Sequence, residues 1–136
     1  MAAKATRNLA LIEIKHPQHD LLGKPYRKTY TPSHELSGSV AQVISQRNVL
    51  LREILSLSYE LDERVHAHAL AAIVIIGRTP SKVDGQRDFE QYRNGLKDVL
   101  AITFDEMLER LQSIHQALAP KPPVAPTPIS DEDLPF

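Results

Sequence analysis

Apolar residues recur at three- and four-residue steps through the middle of the chain: Leu36, Val40, Val43, Ile44, Leu50, Leu51, Ile54, Leu57, Leu61, Val65, Ala69, Ala72, Ile73 and Ile76. Arg47 is the one polar residue in this stripe. Such spacing lines one side of an α-helix. Thr31 offers a cap, Pro32 suits a first helical position that needs no N–H, and Gly77 offers a stop. The pattern predicts one helix of about forty residues, on the order of 60 Å long. A second stripe runs through Phe89, Tyr92, Leu96, Val99, Leu100, Thr103, Met107, Leu111, Ile114 and Leu118. It follows a similar start signal, Thr79-Pro80-Ser81, contains Gly95 as a weak point, and ends near Ala119-Pro120. Two long helices joined by a short turn predict an antiparallel helical hairpin. Each stripe is wider than a two-helix seam, so the expected protein is mainly α and homodimerises into a helical bundle.

The N-terminal residues break this periodicity. Residues 8–15 are short and aliphatic and end at His16-Pro17, with Ala10, Ile12 and Ile14 on one face of a strand. Residues 26–31 form a second extended candidate, and the two together predict a small β-hairpin, although a helix over residues 5–15 fits nearly as well. Residues 120–129 carry Pro120, Pro122, Pro123, Pro126 and Pro128, the composition of an extended, disordered linker. The expected organisation is a basic segment at 1–31, a helical hairpin domain at 32–119, and a linker with a tip at 120–136.

Composition narrows the function classes. Hydrophobic residues make up 42% but aromatics only 5%, without Trp, so the core is aliphatic and suits helices better than a nucleic-acid-binding barrel. The absence of Cys excludes disulfides, thiolate chemistry and zinc ribbons. The longest apolar stretch, residues 67–76, is too short to span a bilayer and holds His68, and no leader pattern is visible. A cytoplasmic protein with no membrane partner is expected. Charge is uneven: residues 1–32 hold six basic against two acidic side chains, residues 33–119 nine against twelve, and the remainder one against three. A positive head and a negative tail can seek different partners.

Candidate chemistry is sparse. Lys24, Tyr26, Arg27, Lys28 and Tyr30 interleave cations with aromatic rings, the pattern that neutralises phosphates while bases stack. Glu63-Arg64-Val65-His66 has the spacing of helical di-iron ligands but lies off the apolar face, and His16-Pro17-Gln18-His19-Asp20 is broken by proline. Gly23-Lys24 lacks the rest of a phosphate loop, and there is no nucleophile elbow. The expectation is a protein that is not an enzyme, with no metal and no cofactor.

The last residues, Ser130-Asp131-Glu132-Asp133-Leu134-Pro135-Phe136, carry three acids into Leu-Pro and a terminal aromatic ring. This resembles the acidic C-terminal tip of bacterial single-stranded DNA-binding protein (SSB), though nothing in the body resembles its barrel. The resemblance implies docking of Phe136 in an apolar pocket, its carboxylate on an Arg, and Asp131, Glu132 and Asp133 along a basic rim, with Leu134 and Pro135 shaping the approach. The expected function is a helical protein that associates with single-stranded DNA and recruits replication, recombination or repair enzymes through the tip. The alternative is an adaptor or competitor without DNA affinity, encoded by a mobile element, that occupies the pockets of proteins that bind the SSB tip.

Overall fold

Residues 71–75, Ala-Ala-Ile-Val-Ile, run extended rather than helical, and this decides the architecture. A computed structural model describes residues 9–60 and 70–120. In chain order the elements are β1 (Ala10–Ile14), β2 (Leu22–Tyr26), β3 (Thr29–Pro32), α1 (His34–Glu60), β4 (Ala71–Ile75), α2 (Val83–Asn94), β5 (Val99–Ile102) and α3 (Phe104–Leu118). β1, β4 and β5 form a parallel sheet in that order, with Ile12 opposite Ile73 and Ile73 opposite Leu100. β2 and β3 form a separate antiparallel hairpin. The fold is therefore α/β, and the expected helical hairpin and bundle are overturned. Buried parallel strands read as unbroken apolar runs, and short runs of that kind fit a helical stripe equally well.

The strands follow one another across the sheet in chain order, so right-handed crossovers place both connecting helices on one face. Leu36, Val40 and Val43 of α1 and Phe89 of α2 meet Ala72, Val74 and Val99 in a single core cluster. The opposite face stays open among the described residues, with Ile12 49%, Leu100 48% and Ile14 65% exposed. Ala10, Ile12 and Ile14 share one face of β1, as expected, and it is the open one: Leu11 and Glu13 turn toward α1.

Element ends have local causes. Ser33, not Thr31, caps α1, its Oγ accepting from the Leu36 N–H at 3.0 Å, while Thr31 and Pro32 belong to β3. Gly95 ends α2 rather than lying within a longer helix. Thr103 caps α3 with a reciprocal box: its Oγ1 accepts from the Glu106 N–H, and the Glu106 carboxylate accepts from the Thr103 N–H at 3.0 Å. Arg47, the odd residue in the first stripe, reaches over to donate to the Asp98 carbonyl at 3.1 Å, at the turn before β5. The apolar stripe of α3 has no buried residue. None of the helices is long and apolar enough to cross a membrane, among the described residues.

The β2–β3 hairpin differs from the one expected, since β1 pairs with β4 instead. It is pinned to α2, where buried Asp88 accepts from the Tyr30 N–H at 2.8 Å and pairs with Arg87 at 3.0 Å. The Tyr30 hydrogen bond, then Arg87, lowers the Asp88 pKa. On α3, burial pushes the Asp105 carboxyl up, but bonds from the Thr79 hydroxyl and N–H and from Thr103 together outweigh it and hold it at about 2, against an ordinary 3.8. Glu106 is likewise lowered on balance, burial being outweighed by Thr103 and Arg93. A carboxylate whose folded pKa is depressed adds stability above its unfolded pKa and loses it as pH falls toward the folded value. The denaturant midpoint is therefore expected to hold between pH 7 and 5 and to fall steadily from about pH 4 toward pH 2. Asp105→Asn should be less stable at neutral pH and show a flatter acid limb; an unchanged limb would mean that these bonds do not stabilise the fold.

Candidate functional site

Alternation along a strand puts residues i and i+2 on one face. Glu13, within β1, and Lys15, just beyond its end, thus share the face that meets α1. The Lys15 Nζ lies 2.7 Å from Glu13 Oε1 and donates to Gln42 Oε1 of α1 at 3.1 Å. Their side chains are only partly covered, 18% exposed for Glu13 and 30% for Lys15. The ammonium is therefore held at a fixed point by two acceptors while remaining open to a ligand. The place is the C-terminal end of a parallel strand, where α/β sheets bind their ligands.

Two cavities adjoin this end of the sheet. One, of about 370 Å³, is lined by Lys15, His19, His34, Glu35, Ser39 and Gln42, with Gly38. The other, of about 640 Å³, lies between the loop after β1, the foot of the hairpin and the β4–α2 connection, and includes His19, Tyr30, Arg78, Thr79, Lys82 and Gly85. His19 lines both, so the two are neighbours. Arg78 and Lys82 have no ion-pair partner among the described residues. The larger cavity thus carries these two cations with one carboxylate, Asp20, on its wall, and meets the smaller cavity, which Lys15 lines, at His19.

The expected nucleic-acid residues fall on one hairpin. Lys24, Tyr26, Arg27 and Lys28 are exposed along β2 and its turn; Tyr30 instead lies at the hairpin foot, half-buried, where it lines the larger cavity. His16 and His19 approach edge-on, with ring centroids 6.1 Å apart, but His16 Nδ1 accepts from the Gln18 N–H. Glu63 and His66, and all of Asp131, Glu132, Asp133, Leu134, Pro135 and Phe136, lie outside the described residues. No three His, Asp or Glu side chains converge to hold a metal ion among the described residues. Glu13 supplies one carboxylate, so a divalent cation there needs further ligands from elsewhere, and the residues present do not form a metal site by themselves.

Sequence reasoning missed Glu13, Lys15 and Gln42. A signal was present: Ile12-Glu13-Ile14-Lys15 alternates strictly, which sets an acid and a base side by side at a strand end. It stays hidden in the sequence because alternation does not say which face of β1 is covered, and Gln42 lies far along the chain.

The sequence model of the family described as "Shedu protein SduA, C-terminal" matches residues 1–108. The chain is also similar to the Shedu protein SduA of Bacillus cereus (strain B4264), with 30% identity over 122 residues, covering 83% of this chain and 32% of that protein. It spans about a third of the length of that curated relative. The chain belongs to the Shedu SduA C-terminal family. This overturns the resemblance to SSB, which rested on a tip beyond the matched residues. The family match also overturns the recruitment of replication, recombination or repair enzymes, the single-stranded-DNA role expected of the basic segment, and the partners that bind the SSB tip.

Proposed function

We propose that this member of the Shedu SduA C-terminal family supplies part of the phosphodiester-cleaving centre of an anti-phage defence protein. The observation that carries the reading is the Glu13–Lys15 pair, set by Gln42 at the ligand-binding end of a parallel sheet, where the cavity lined by Lys15 adjoins one with Arg78, Lys82 and Asp20 on its wall. Hydrolysis of a phosphodiester needs a group that orients the attacking water and positive charge on the phosphoryl oxygens. The Glu13 carboxylate can accept a hydrogen bond from the water, and the Lys15 ammonium can meet an oxygen as its charge grows. Gln42 positions Lys15 through its Oε1. The outer edge of β1 has no strand partner among the described residues, which leaves room for another strand to bring further carboxylates. Membership of a defence family fits an enzyme that acts on invading nucleic acid.

This reading takes the place of the non-enzyme expectation, which rested on motifs other than an acid–base pair on a strand. The test is cleavage of supercoiled plasmid in Mg²⁺ buffer by the full-length protein, comparing the parent with Glu13→Gln. The parent should cleave, and the variant should lose cleavage while keeping its circular dichroism spectrum. Cleavage that survives Glu13→Gln, or a parent that never cleaves, would overturn the proposal.

A further inference from the structure

A two-residue hairpin turn matches the twist of its strands when its first residue has positive φ, and Gly, Asn or Asp normally stand there. Between Tyr26 and Thr29 that residue is Arg27, at φ 58°. Left-handed backbone is unfavourable for such a side chain, so its presence points to a use for the side chain rather than for the turn. The surroundings agree. Lys24, Tyr26, Arg27 and Lys28 are exposed, and β2 and β3 with their turn contain no carboxylate. None of the three cations has an ion-pair partner among the described residues. Tyr26 is 67% exposed, with the Arg27 guanidinium 5.6 Å from its ring centre. The foot, by contrast, is fastened: Tyr30 to Asp88, the Thr31 hydroxyl to the Lys24 carbonyl at 3.0 Å, and the Ser33 N–H to the Leu21 carbonyl at 2.9 Å. Tyr30 and Gly23 at that foot line the cavity that holds Arg78 and Lys82.

We infer that the β2–β3 hairpin is a finger that grips duplex DNA, its tip entering the major groove with Lys24, Arg27 and Lys28 on the flanking phosphates. The inference rests on the reading of this protein as one that acts on nucleic acid. A two-stranded ribbon fits the major groove of B-form DNA, roughly 12 Å wide, whereas the deep, narrow major groove of duplex RNA does not admit it. The fastened foot keeps the finger rigid, so little ordering is needed on binding. The cavity at the foot adds Arg78 and Lys82, with Asp20 among them, and runs from the hairpin to His19.

The experiment is fluorescence anisotropy of a short duplex DNA with the full-length protein in EDTA, over a range of salt concentrations. The proteins are the parent, Arg27→Gly and the double variant Lys24→Gln/Lys28→Gln. Arg27→Gly removes the cation and relieves the backbone together, so it should melt no lower than the parent. It should nevertheless bind more weakly, with a slope of log affinity against log salt shallower by about one. The double variant should lose about two units of slope. Duplex RNA of the same sequence should bind more weakly than the DNA. Parent-like affinity and slope for Arg27→Gly and the double variant, or RNA bound as tightly as DNA, would overturn the inference. Since EDTA removes catalysis from the measurement, altered slopes stand even where Glu13→Gln proves indifferent in the cleavage assay. Parent-like slopes with cleavage still dependent on Glu13 would remove the finger and keep the centre.

Discussion

Lys15→Met is expected to lower DNA cleavage by roughly 10²–10³-fold, the usual effect of removing one group that meets developing charge in a transition state. Methionine keeps a long apolar stem and removes only the ammonium. The structural cost should be small, because Lys15 is part-exposed and its ties are one ion pair with Glu13 and one hydrogen bond to Gln42. Pairs of that kind contribute about 0–1 kcal/mol. Since Lys15 would act on charge that grows during the reaction, kcat should fall more than KM rises. Arginine should not restore the rate, as its planar fork does not place a compact charge at the same point. A variant that cleaves as the parent does would show that Lys15 only pairs with Glu13.

Gly77→Ala is expected to destabilise the protein by about 3 kcal/mol or more, combining left-handed backbone with overpacking. Gly77 follows β4 at φ 61°, and a Cβ there would stand 2.6 Å from the His19 carbonyl oxygen and 2.7 Å from Leu21 Cδ2. The His19 carbonyl is backbone and cannot yield without moving the loop after β1. The same residue ties three segments together, its N–H donating to the His16 carbonyl and its carbonyl accepting from the Phe104 N–H at 3.0 Å. Displacement would shift His19, the shared wall of both cavities, so cleavage should fall along with the denaturant midpoint. Gly38→Ala is the matched control. Nothing stands within 4 Å of its added Cβ, inside α1, and the change should stabilise by roughly 0.5–1 kcal/mol. Equal midpoints for the parent and Gly77→Ala would refute this account of the turn.

How far the fold could be read varies from one element to the next. The α1 stripe of Leu36, Val40 and Val43 is present in the sequence and is the observed core face. The end of α3 near Ala119-Pro120 is marked there too, with Ala119 as the cap. The middle was misread for a physical reason. Ala72, Ile73 and Ile76 satisfy a helical step, yet a five-residue apolar run satisfies a buried strand as well, and periodicity cannot separate the two. The candidate site was missed for a related reason. In β1 the choice of inward face rests on which partner covers it, and a slip of one residue exchanges the faces.

The sequence by itself determined the apolar segments, the absence of thiol chemistry, and a basic Lys24-to-Lys28 stretch free of acids. These are properties of local composition and spacing, and they hold whatever the segments pack against. Tertiary structure alone decided that Ala71–Ile75 is a strand, because its backbone groups pair with β1 on one side and β5 on the other. It also decided that Glu13, Lys15 and Gln42 converge, because Gln42 lies twenty-seven residues beyond Lys15 and reaches it only when α1 folds back over the sheet. Such contacts carry no local signature. They exist because two surfaces, each indifferent on its own, bury their apolar sides together and bring the polar groups at their rim into reach.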